Sequence, residues 1–197
     1  INPVKFPEEA DPLDTHPLRW LSPEWIDMLK AAFDEAKRLG MTCDLIVASG
    51  WTFVDEYLEG DERGQVMVVA VKKLEGPATV VYSPFELFLE ADPQVNNPYP
   101  GRTMELVSLQ LVPDPLDDLA QITDLSEQKD LDRITVEVPA GSHALYALVK
   151  VHGFMQVING VPGANGPTLN HFNAQAVRKY LTRMSGAIES RIGPLRD

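Results

Sequence analysis

Cys43-Asp44-Leu45-Ile46-Val47-Ala48-Ser49-Gly50-Trp51 is the stretch on which the fold reading turns. Its apolar centre is strand-sized, and it follows an amphipathic helical pattern. That helix is expected to begin at Ser22, whose hydroxyl can cap the free amides of the first turn, with Pro23 at the first helical position. Trp25, Leu29, Ala32, Phe33 and Ala36 recur on one face. Lys37 and Arg38 complement the dipole at the far end, and Gly40 is a natural stop. A short apolar run after such a helix reads as a buried parallel strand. Ile1–Phe6 reads as the end of an earlier strand, followed by a loop rich in proline and acid up to residue 21. The opening is therefore expected to be strand–helix–strand, the unit of an α/β fold.

The middle changes character. Gln65–Lys72, Thr79–Tyr82, Glu105–Val112, Arg133–Val138 and His143–Val151 carry β-branched residues in partial alternation and predict strands. Gly76-Pro77 and Pro139-Ala140-Gly141 are turn signals, residues 92–101 read as a loop, and residues 113–131 as an irregular connection or short helix. Beyond a glycine-rich loop at Gly153–Gly166, Asn173 can cap a helix with Val177, Tyr180, Leu181, Met184 and Ile188 on its apolar face. The expected organisation is residues 1–63, a β-rich insertion over 64–151, and a return at 152–197. The chain opens at Ile1 in a strand-like run and stops just after a helix, so both ends read as cut from something longer.

The 197 residues suffice for one domain, or a domain with an insertion, and a 44% apolar content is ordinary for a globular chain. No apolar run reaches the ~18 residues of a membrane-spanning helix. A net charge of −12 opposes binding to phosphate backbones, which argues against a nucleic-acid partner. Cys43 is the single cysteine, so no internal disulfide forms; it reads as a small core residue.

Two constellations carry chemistry. Ser49-Gly50-Trp51 stands at the carboxyl end of the expected parallel strand, where α/β folds keep their working residues. An indole there offers a flat face to sugar C–H groups, or else is a core tryptophan beside a turn glycine. Gly166-Pro167-Thr168-Leu169-Asn170-His171-Phe172-Asn173 sets two amides and an imidazole within four residues ahead of a helix. These groups suit hydroxyl recognition, or else form a helix cap with a packing histidine. His16, His143 and His152 show no metal-ligand spacing. Glu8, Glu9, Asp11, Asp14, Asp55, Glu56 and Glu59 lie in loops near the expected site, but no spacing singles out an acid–base pair. Dinucleotide, phosphate-loop and nucleophile-elbow motifs are absent from the sequence.

Leu21-Ser22-Pro23-Glu24-Trp25, Ala36-Lys37-Arg38-Leu39-Gly40-Met41 and Ser49-Gly50-Trp51 together resemble the first catalytic-domain segment of glycoside hydrolase family 106. So does Asn165–Asn173, with Ala176-Val177 and Tyr180-Leu181 behind it. Many relatives carry Asp where this chain has Asn170, an amide that cannot serve as a carboxylate. The resemblance implies part of a (β/α) TIM-type barrel interrupted by a β-rich insertion. It implies hydrolysis of terminal α-L-rhamnosyl residues of complex glycans, with inversion and with calcium. It places the catalytic carboxylates downstream of Asp197, so that this chain would work with the remainder of its catalytic domain, and the compartment as periplasmic or extracellular. Half a barrel would expose strand edges and behave poorly alone. Trp51, Asn170 and His171 are the expected sugar-site residues, followed by Ser49, Gly50, Asn2 and Lys5. The alternatives are a non-catalytic carbohydrate-binding module and an inactive relative.

Overall fold

The computed structural model describes residues 17–45, 53–95, 99–158 and 160–194. The chain divides into two compact units, one formed by residues 1–64 and 155–197, the other by residues 65–154.

Two helices dominate the first unit. Helix α1 spans Pro23–Arg38 and starts where Ser22 Oγ accepts from the Trp25 amide at 3.2 Å. It ends where Gly40 adopts φ +71°, a conformation that favours glycine. A second long helix, Ala174–Ile192, is capped by the Asn173 side chain, which accepts from the amides of Gln175 and Ala176. Ala176, Tyr180, Met184 and Ile188 are its buried face, at the 3–4-residue spacing of one helical stripe. They pack with Trp20, Leu29, Leu58, Val161, Ala164 and Leu169 into one core. The guanidinium of Arg191 holds both carboxylate oxygens of Asp27, at 2.9 and 2.7 Å, and ties the two helices together at the surface. A two-stranded ribbon pairs Gln156–Val157 with Gly166–Pro167.

The second unit is an open, four-stranded antiparallel sheet with one short helix, Pro84–Ala91, against it. Its strands are β1 (Gln65–Tyr82), β2 (Thr103–Pro113), β3 (Thr123–Asp124) and β4 (Ile134–His152), in the order β1-β4-β2-β3. The register of β1 on β4 runs from Gln65↔His152 to Tyr82↔Ile134. Along β4 every second residue from Leu145 to Val151 is buried, as are Ile134, Val136 and Val138. This period of two builds the core with Val68, Ala70, Leu74, Leu106, Leu109, Leu111 and the helical Leu87 and Ala91.

The two turn signals of the sequence are not turns. Gly76 and Gly141 face each other across the β1–β4 pair, where the register shifts between Gly76 and Ala78. Both strands pass through this irregularity as single long strands. A Cβ on Gly76 would stand 1.8 Å from the Pro139 carbonyl oxygen, so the close approach admits only glycine.

The TIM-type barrel is overturned. Among the described residues every strand pairing is antiparallel and the sheet is open. The strands alternate buried and exposed residues, the pattern of a sheet with one covered face; strands of a parallel barrel are buried on both. Residues 41–45 form no strand, and Cys43 is exposed where a core residue was expected. The remainder of the expected parallel strand, residues 46–48, lies outside the described residues.

Candidate functional site

The loop that leads into the second long helix is fastened residue by residue to the segment 53–64. Val54 pairs with Thr168 and Arg63 with Leu169 in isolated antiparallel bridges. The Leu169 amide donates to Phe53 O at 2.9 Å, the Gly64 amide to Thr168 O at 2.7 Å, and the Asn170 amide to Glu62 O at 2.8 Å. Side chains complete the attachment. The amide groups of Asn170 and Asn173 both donate to Asp61 O, at 3.0 and 3.3 Å. Asn170 Oδ1 accepts from the Phe172 amide at 3.1 Å, and Asn170 O accepts from the Asn173 amide at 3.1 Å. Residues 170–173 are thus a tight turn clamped between a helix start and the 3-10 turn Gly60–Glu62.

An aromatic row underlies this turn. The Phe53 ring lies 5.1 Å from the His171 ring and 5.6 Å from that of Tyr180, and Trp20 stacks on Tyr180 at 6.1 Å. The Tyr180 hydroxyl donates to Val54 O at 3.3 Å. His171 itself is exposed, and no hydrogen bond engages its ring nitrogens among the described residues. Phe172, beside it, is 100% exposed.

The acidic side chains of the neighbouring segment are paired. Asp55 is 3% exposed and meets Arg183, whose guanidinium also sits 4.3 Å over the Tyr57 ring. The Tyr57 amide donates to Asp55 Oδ1 at 3.1 Å. Glu56 pairs with Arg19, which also donates to the Tyr57 hydroxyl. Lys179 donates to both oxygens of Glu62, at 2.7 and 2.9 Å, and this ammonium holds the Glu62 carboxyl below the usual glutamate range. Held this way, the Glu62 carboxylate stays ionised. A general acid needs the reverse environment, apolar and without a cation. Among the described residues no group of three or more His, Cys, Asp and Glu side chains converges.

Of the sequence-predicted site residues, Asn170 and His171 sit together on this turn in different capacities. The Asn170 amide is spent on the fold, whereas the His171 imidazole faces outward. Asn2, Lys5, Ser49, Gly50 and Trp51 lie outside the described residues. Sequence reasoning missed Arg183, because its partner Asp55 is 128 positions away. It also passed over Phe172, a large apolar side chain at a position between polar ones.

The elements of this chain define two small folded units, a helical one bearing the clamped turn and a one-sided antiparallel sheet. The sequence matches no protein-family model and no curated protein. Among solved structures the fold resembles part of a rhamnosidase from Novosphingobium sp. PP1Y, with 12% identity and a TM-score of 0.57 over 98% of this chain and 33% of that one. The chain thus spans about a third of the length of the protein it matches. At this identity the likeness is one of fold.

Proposed function

We propose that the chain is part of a glycoside hydrolase of the α-L-rhamnosidase type, as in glycoside hydrolase family 106, and acts on terminal α-L-rhamnosyl residues of complex glycans. The observation that carries the reading is the fold likeness to a rhamnosidase over nearly the whole chain. The clamped turn supports it: His171 presents an imidazole that can donate to or accept from a sugar hydroxyl, and Asn170 fixes the backbone that carries it. Trp51, Ser49, Gly50, Asn2 and Lys5 complete the proposed substrate site. A periplasmic or extracellular location accords with a glycan substrate.

One observation favours a second reading, a carbohydrate-binding module without cleavage. Asp55, Glu56 and Glu62, the carboxylates flanking the turn, are each held by a cation. Hydrolysis of an aryl α-L-rhamnoside, run beside aryl glycosides of other sugars, separates the two. Selective cleavage of the rhamnoside supports the hydrolase. Binding of a rhamnoside without turnover supports the module. A protein that neither binds nor cleaves any glycoside refutes both.

A further inference from the structure

We propose that Phe172 is a stacking platform for a 6-deoxyhexose, taking the apolar face of the sugar that carries its methyl group. This deepens the glycan reading above and rests on it. A phenylalanine is among the residue types most often buried, and Phe172 is 100% exposed. Its position is not that of a loose loop. The Phe172 amide donates to Asn170 Oδ1, the Asn170 and Asn173 amide groups hold Asp61 O, and Asn173 caps the helix that follows. The backbone is therefore fixed before any ligand arrives, and stacking on the ring costs little ordering.

The neighbouring chemistry selects the ligand. A pyranose presents one apolar C–H face and a rim of hydroxyls. The exposed ring offers the first a flat surface. The exposed His171 imidazole, with no hydrogen-bond partner among the described residues, offers the rim a donor and an acceptor one residue away. Phenylalanine brings no hydroxyl of its own, so the face it suits best is the one enlarged by a methyl group. A hydroxyl on that carbon makes this face less apolar and gains no partner from the ring.

The test uses the whole chain and two probes, methyl α-L-rhamnoside and methyl α-L-mannoside, which differ by one hydroxyl on that carbon. Binding is followed by ligand-observed saturation-transfer NMR. The wild-type chain is expected to prefer the rhamnoside, with strong transfer to its methyl protons. Phe172→Ala is expected to weaken rhamnoside binding about tenfold, the loss typical of truncating an aromatic anchor, and to erase the preference. Phe172→Trp is expected to keep both. The ring buries nothing, so neither change threatens folding. Rhamnoside binding with affinity and preference unchanged in Phe172→Ala overturns this assignment and leaves the glycan reading standing. A wild-type chain that binds neither probe overturns both. A variant that alters only self-association assigns the ring to a second copy of the chain and overturns the sugar platform.

Discussion

Asn170→Asp tests the clamp with one changed group and almost no change in volume. The Asn170 side chain donates to Asp61 O at 3.0 Å and accepts from the Phe172 amide at 3.1 Å. Aspartate keeps the acceptor and loses the donor. One hydrogen bond disappears, at a net cost of about 0.5–1.5 kcal/mol. An anionic oxygen is then aimed at a carbonyl oxygen, which adds to the loss. Two effects offset part of it: a carboxylate accepts the Phe172 amide more strongly, and a negative charge near the start of the following helix gains about 0.3–1 kcal/mol. Asp61 O also keeps its bond from Asn173. The balance is about 1–2 kcal/mol of destabilisation, which lowers a midpoint of this chain size by about 2–8 °C. All three tryptophans, Trp20, Trp25 and Trp51, precede residue 64, so tryptophan fluorescence reads the unit that holds the turn. The pH dependence has a definite sign. The new carboxyl has a folded-state pKa raised above its unfolded value of about 3.9, because only its protonated form can donate to Asp61 O. The deficit is full above the folded-state pKa and shrinks as pH falls toward about 3.9. An unchanged midpoint at neutral pH, or a deficit that grows in acid, would refute the reasoning.

Arg183→Ala leaves the Asp55 carboxylate buried beside Tyr57 without its cation, and about 2–4 kcal/mol of stability should be lost in a fluorescence-detected denaturant melt. In the sheet, Leu109 is fully buried, and Leu109→Ala should cost about 3–5 kcal/mol, read from far-UV circular dichroism because residues 65–154 contain no tryptophan. Glu105 is held below the usual glutamate range first by its hydrogen bond from Lys150, with His152 adding to it. That stability is present above the unfolded-state pKa and is lost as pH falls through the depressed folded-state pKa. Glu105 is half exposed, so Glu105→Gln should remove less than about 1 kcal/mol and only flatten the acid limb of an unfolding titration.

The helices were legible because their signals are local. Ser22-Pro23 and Asn173 name the starts, and period-3.6 stripes such as Tyr180, Met184 and Ile188 name the buried faces. Ser83-Pro84-Phe85-Glu86 spells an equally local capping box, with Ser83 and Glu86 bonded reciprocally, though it stands among strand-like runs that mask it. Strand identity was legible and strand partnership was not. An apolar run like 43–48 states that it wants burial, not which neighbour it pairs with, and the described residues contain no parallel pairing. Gly76-Pro77 and Pro139-Ala140-Gly141 each look like a chain reversal. Only their juxtaposition across β1 and β4 reveals a shared irregularity. The same limit governs the site. Asn170 and His171 announce a polar turn before a helix, but the division of labour between them depends on the carbonyl of Asp61, 109 positions away from Asn170.

The first residue of β1 and the last of β4 are register partners, Gln65 facing His152, with a side-chain contact of 3.2 Å between them. Paired residues across an antiparallel ladder stand only about 4.5–5.5 Å apart at Cα, so the sheet unit begins and finishes at one spot. Such a unit is transplantable. Residues 65–152 can be grafted into a tight turn of an unrelated host without stretching its backbone, or cut away and replaced by two or three residues that span the same gap. Lineages can therefore lengthen, shorten or exchange this sheet while the chain on either side keeps its path.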